Sequence, residues 1–169
     1  MKGQSPKGVA MNDEVLREQL IAQLEGGQAY RPVEEAIREF PVELAGEHVD
    51  GVRHTAWQIL EHMRIAQWDI LRFTIDPDHV TPPWPDEHWP KADAPGPGAW
   101  EQTVGVFLDE LDQVKALARD PGVNLFSTIP HGTGQTTLRE ILLVADHNAY
   151  HLGQIMVIRR ALEDAGGAT

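Results

Sequence analysis

His147 and His151, four residues apart in the segment DHNAYHLGQI, have the spacing in this chain that points most directly to chemistry. On a helix that spacing places both side chains on one side, about one turn apart. Both imidazoles can then hold a single metal ion, as in helical His-pair motifs. A third candidate, His62, stands in a second helical stretch, WQILEHMRIAQWDI. Three imidazoles from two packed helices leave at least one coordination position open, which separates a catalytic metal site from a structural one. The plain alternative is that the pair arises by chance among 8 histidines as a partly exposed polar pair. His62 would then be a boundary residue satisfied by a neighbour.

The helices that carry these residues decide whether they can meet. At about 100° per residue, His147 and His151 fall on the flank of an apolar stripe of Ile141, Val144, Ala145, Leu152, Ile155 and Ile158. That flank is the margin of a core, where an ion is both held and reachable. The stripe belongs to a predicted helix from Thr136 or Thr137, with Glu140 as part of the start signal, to about Glu163, with Gly166-Gly167 as a stop. His62 lies in a predicted helix from about Val52 to Phe73, at the edge of the face formed by Ile59, Leu60, Met63, Ala66, Ile70 and Phe73. A third helix is expected over about Gly98 to Arg119, where Trp100, Val104, Phe107, Leu111, Val114 and Ala118 alternate by four and three, a packing seam. The first long helix is expected from about Asn12 to Glu25, with Asn12 or Asp13 as its cap, Leu16, Leu20 and Leu24 as its stripe, and Gly26-Gly27 as its stop.

A short helix is expected in RPVEEAIREF, with Pro32 in its first turn, and a loop between Pro41 and Val52. Two connections are long: TIDPDHVTPPWPDEHWPKADAPGPG, with seven prolines and two tryptophans, and DPGVNLFSTIPHGTGQ. Loops of such length tend to be functional or disordered, and Trp84 and Trp89 argue for order because an indole buries a large area once it finds a surface. The first loop either covers a bundle end or walls the metal opening. No period-2 stretch is long enough for a sheet. The expectation is an all-α four-helix bundle with long Pro-rich connecting loops, one domain over residues 11–165 behind a disordered tail over 1–10.

Composition narrows the chemistry. The chain has 169 residues, 41% of them hydrophobic and 24% charged, as ordinary globular domains do. It contains no cysteine, so a metal must rely on His, Asp or Glu, and no thiolate nucleophile is built in. A formal net charge of −12 without a Lys/Arg cluster speaks against nucleic acid and anionic membranes as partners. No apolar run approaches the roughly 20 residues needed to span a bilayer, and the N-terminal segment lacks the apolar stretch of a secretory signal. A cytoplasmic protein acting on a small molecule is the resulting expectation.

Helpers around the three histidines are few. Asp69, one heptad after His62, could orient a ligand as an acceptor or be a solvated charge. Gln154, three residues after His151, could hydrogen-bond beside it or serve helix packing. His54, eight residues before His62 and roughly 80° around the expected helix, could approach the mouth of the site. Asp146 points about 100° away from His147 and suits a salt bridge. Tyr150 reads as a packing or interface residue, and His79, His88 and His131 read as loop residues outside the ligand set.

The segments HTAWQILEHMRIAQWDILRF, WPDEHWPKADAP and LLVADHNAYHLGQIMVIRR resemble the DinB-like superfamily of small helical proteins, from about Gly26 to Leu162. The most specific part is the His-x-x-x-His-x-Gly-Gln run of the last helix. The resemblance implies an up-down-down-up four-helix bundle, often a homodimer. It implies a divalent ion, zinc or nickel among others, on His62, His147 and His151, with water completing the shell. It also implies thiol-dependent transferases or isomerases among the relatives, using an exogenous low-molecular-weight thiol, and others that look like metal-dependent hydrolases. A divalent ion on three neutral imidazoles can lower the pKa of bound water to about 7 in favourable sites and deprotonates a coordinated thiol outright. The competing expectation is a non-catalytic dimeric helical protein that binds a ligand or partner, with the metal site structural or vacant.

Overall fold

The seam of Trp100, Val104, Phe107, Leu111, Val114 and Ala118 is buried along its whole length, and it draws the other helices onto it. The structure, a computed structural model, describes residues 6–166. These form α1 (Pro6–Glu25), α2 (Val33–Arg38), α3 (Ala56–Ile75), α4 (Ala99–Arg119) and α5 (Thr137–Gly166), with a 3-10 turn at Val42–Leu44 inside the expected loop. No β-strand occurs among the described residues. The molecule is all-α, as the periodicities require. Helix α3 packs against both α4 and α5, and α1 packs against the same two helices. Ile59, Leu60, Met63, Phe107, Leu152 and Ile155 are fully buried at this junction. Burial of each such side chain is worth about 1.5–3 kcal/mol. No helix among the described residues is long and apolar enough to cross a membrane.

Several boundaries differ from expectation for local reasons. Helix α1 begins at Pro6, not at Asn12 or Asp13. Proline is preorganised for a helix start, nothing between it and Asn12 stops a helix, and Asp13 pairs with Arg17 one turn on, at 2.8 Å. Of the expected tail over 1–10, residues 1–5 lie outside the described residues. Pro32 is the cap of α2, one position outside its first turn. Helix α3 starts four residues later than Val52, because Thr55 takes an extended backbone and forms a capping box: its side chain accepts from the Gln58 N–H while the Gln58 side chain accepts from the Thr55 N–H. At the head of α4, Gly98 holds φ +71°, a left-handed turn that suits glycine. Thr136 is the residue that caps α5, its hydroxyl accepting from the Arg139 N–H at 3.2 Å.

One polar side chain joins three helices. Gln67 of α3, 1% exposed, donates to the Phe107 carbonyl of α4 at 2.8 Å and accepts from Asn148 Nδ2 of α5 at 2.9 Å. This bond line fixes the rotation of α3 against α5, and so sets where His62 faces His147 and His151.

Candidate metal centre

His62 projects from α3, and His147 and His151 from α5. One ring nitrogen from each lies within 4.8 Å of the other two. His62 Nε2 and His147 Nε2 are 3.1 Å apart. Two nitrogens each about 2.1 Å from one ion at a right angle lie about 3 Å apart, so this spacing suits a shared cation. The ring centroids are 5.0 Å apart for His62 and His147, 4.8 Å for His62 and His151, and 4.5 Å for His147 and His151.

The protonation state suits the same purpose. Burial, with a smaller contribution from His151, His88 and His54, pushes the His62 imidazole down to about 4. Burial, followed by the nearby His151 and His62 rings, pushes His147 down to about 3. Burial lowers His151 as well. At neutral pH all three rings are uncharged, the form in which imidazole ligates a metal. Acceptors fix which nitrogen carries the proton. His62 Nδ1 faces the His88 carbonyl at 2.8 Å and must donate to it, which leaves Nε2 as a lone pair. His151 Nδ1 faces Gln154 Oε1 at 3.2 Å, which again leaves Nε2 as a lone pair. Gln154 therefore orients a ring, one of the two roles expected of it. His147 has no such acceptor: its buried Nδ1 has no hydrogen-bond partner, and its Nε2 faces the His62 lone pair. Two lone pairs fixed by their neighbours and a third neutral ring beside them fit a divalent ion.

The other helpers are placed differently from the sequence reading. Asp69 does not touch His62. Its Oδ1 accepts from His79 Nε2 at 2.7 Å, and its Oδ2 lies 3.7 Å from His88 Nε2, so it binds the Pro-rich loop. His54 precedes α3 rather than lying on it, which voids the 80° placement. Its ring stacks on Trp89 with centroids 3.9 Å apart and an interplanar angle of 13°. Trp89 stacks equally on His62, at 3.8 Å and 7°. Two parallel rings that close to one indole must occupy its opposite faces, so Trp89 is sandwiched between His54 and His62. Asp146 is exposed, and no ion pair reaches it among the described residues. His79 and His131 stay outside the histidine cluster, the latter facing the Phe73 carbonyl at 2.6 Å.

A cavity of about 430 Å³ opens beside the three histidines, walled by Ala66, Asp69, Ile70, Trp84, His88, Trp89, Leu143 and Tyr150. The Pro-rich loop thus walls the opening. Trp89 covers one face of His62, and Trp84, 68% exposed, stands at the rim. Sequence reasoning missed the role of His88, because its useful atom is a backbone carbonyl. The adjacent Trp89 was the available signal: an indole in a loop must pack on something.

The sequence model of the DinB superfamily matches residues 18–155. No curated protein and no solved structure matches the chain. The family match covers well over half of the sequence, reaches from α1 into α5 and includes all three histidines. On that extent, the chain belongs to the DinB superfamily.

Proposed function

We propose that this protein is a metal-dependent enzyme in which His62, His147 and His151 hold a divalent ion and the adjoining cavity receives a small-molecule substrate. The observation that carries this reading is the convergence of three neutral imidazoles, on one rim of a cavity, with two of their N–H groups already bonded elsewhere. Neutral imidazoles suit zinc or nickel. Such an ion would supply Lewis acidity that lowers the pKa of a coordinated water or thiol.

The chain's own residues favour thiol transfer over hydrolysis. Hydrolysis needs a base beside the attacking water, and Asp69, the one carboxylate lining the cavity, is already held by His79. A coordinated thiol is deprotonated outright, whereas a coordinated water, brought only to about 7, gains more from such a base. Because the chain has no cysteine, the sulfur comes from a low-molecular-weight co-substrate. Ile70, Leu143, Trp84 and Tyr150 offer an apolar wall for the body of an electrophile. In the transfer, the thiol proton passes to solvent and a carbon–sulfur bond forms as the bond to the leaving group breaks. The homodimer implied by the family finds support in Leu142, Tyr150 and Val157 of α5, which are 47%, 66% and 57% exposed; sedimentation of the full chain tests it.

Protein purified without a His tag is expected to contain stoichiometric divalent metal, measured by elemental mass spectrometry. His147→Ala and His151→Ala are each expected to abolish that metal while the helical circular dichroism persists. Full retention of metal in both variants overturns the site. Turnover is expected with a panel of thiols and electrophiles and not with amides or esters; the reverse pattern assigns hydrolysis, and silence in both panels favours a non-catalytic binding protein.

A further inference from the structure

We propose that Asp69 is a positioning residue that orients His62 without touching it, by clamping the Pro-rich loop whose backbone holds that ring. The loop leaves α3 at Asp76, and Asp69 faces it at two histidines nine residues apart, hydrogen-bonded to the first and in looser proximity to the second. His79 Nε2 lies 2.7 Å from Asp69 Oδ1, with side chains only 6% and 14% exposed. His88 Nε2 lies 3.7 Å from Asp69 Oδ2. The two groups that fix His62 belong to His88 itself and to the residue after it. The His88 carbonyl takes the His62 Nδ1 proton at 2.8 Å, and the Trp89 indole lies flat on the His62 ring at 3.8 Å.

A loop carbonyl is only as well placed as its loop. The backbone hydrogen bonds in this stretch are local turns, His79 N–H to the Asp76 carbonyl at 3.2 Å, and Glu87 N–H to the Pro83 carbonyl and His88 N–H to the Pro85 carbonyl, both at 3.1 Å, and none of them reaches across to another helix. At the far end Asp93 is bonded to Thr55 and Gln58. Asp69 supplies the attachment of the first half. It sits seven residues after His62 on the same helix, so ring and clamp share one rigid scaffold, and the loop bridges them. Outer contacts of this kind fix the tautomer and orientation of a ligating histidine. The functional meaning rests on the metal-centre reading above, but the geometry is testable without metal.

Asp69→Asn removes the negative charge that both histidine rings face and leaves only a weaker, neutral acceptor for His79, so the hold on the loop slackens. In the metal-free full chain at fixed neutral pH, nitrogen NMR of the imidazoles is expected to show His62 as the Nδ1–H tautomer with a slowly exchanging proton. In Asp69→Asn a mixture of tautomers and faster exchange of that proton are expected, together with a roughly 10- to 100-fold loss of Zn²⁺ affinity by competition titration. His79→Gln, a change outside α3, is expected to move the same signals less, and it decides the matter should Asp69→Asn not fold. A lower melting temperature with an unchanged His62 tautomer in the folded variants overturns the proposal and leaves Asp69 a structural residue. Wild-type protein that takes up no Zn²⁺ while its His62 tautomer still follows Asp69 overturns the metal reading alone.

Discussion

Helix α3 buries ionisable groups on two sides, and the two clusters behave differently. Toward α5, His62 meets His147 and His151; the N–H groups of His62 and His151 are drawn outward by His88 and Gln154, which leaves their lone pairs beside His147 and a cavity. Toward α4, the polar groups face each other. Arg64 forks onto Glu61 at 2.6 and 3.0 Å, and the Thr103 hydroxyl donates to the same carboxylate at 2.9 Å. Glu110 beside them is 7% exposed, with one oxygen that has no hydrogen-bond partner. Burial pushes its carboxyl up to about 7 against the pull of Arg64 and Arg72. Both clusters hold strongly perturbed groups, so perturbation alone does not mark a site. Convergence of unused lone pairs on shared, reachable space distinguishes the first.

The pH dependence of stability separates the two clusters most strongly. His62 titrates at about 4 when folded against 6.5 in the unfolded chain. Between those values only the unfolded chain takes up a proton, so metal-free protein loses stability as pH falls, by about 3 kcal/mol at roughly 1.4 kcal/mol per pH unit. His147 acts in the same direction and down to about 3. Glu110 has the opposite sign, because its folded value of about 7 exceeds the ordinary 4.5. The stability it contributes is present below pH 4.5 and is lost as pH rises to about 7, again by about 3 kcal/mol. Glu110→Gln is therefore expected to steepen the rise of stability between pH 4.5 and 6.5 and to leave the variant more stable than wild type above pH 7. Urea unfolding across this range measures both; parallel curves for the two proteins would falsify the assignment.

Gln67 lies between the clusters, and its loss is the next largest effect. Gln67→Ala strands buried Asn148 and is expected to cost roughly 1–3 kcal/mol. If the bridge sets the rotation of α3, Zn²⁺ affinity falls with it. A stability loss with unchanged affinity would show that the histidines align without the bridge. The smallest effect belongs to a control remote from both clusters. Arg38 and Glu34 form an exposed pair on α2, 55% and 63% accessible, and Arg38→Ala is expected to change unfolding free energy by less than about 0.5 kcal/mol. A larger change would mean that surface pairing matters as much here as buried polarity.

Much of this was legible in the residues. The four- and three-residue spacings give the helices and their buried faces, and the i,i+4 pair with His62 gives the cluster, because helical geometry turns spacing into direction. What was not legible depends on the chain's return path. The capping box at Thr55 moved His54 off the helix, although Thr55 and Gln58 carry the spacing of a cap. Asp69 was read against its own helix, whereas its partners arrive from a loop whose course no periodicity encodes. Gln67 offered a signal that went unused: an amide placed among Met63, Ala66 and Leu71 at a core azimuth needs partners, and the partners lie on two other helices.

The capping box at Thr55 has one further consequence. Besides closing the start of α3, the Thr55 hydroxyl donates to the Asp93 carbonyl at 2.6 Å, and Gln58 Nε2 donates to the Asp93 carboxylate at 2.8 Å. Next to this joint Gly46 backs onto Ala94 so closely that an added Cβ would lie 2.4 Å from the alanine methyl. The tryptophan-bearing span is thus moored at both shores, by His79 near one end and Asp93 near the other, and its crown at Val80 to Pro85 is held by local turns and by the edge of Trp84 against His88. Access to the cavity therefore turns on Trp84 at its rim, whereas Trp89 is fixed between two imidazoles on the inner wall.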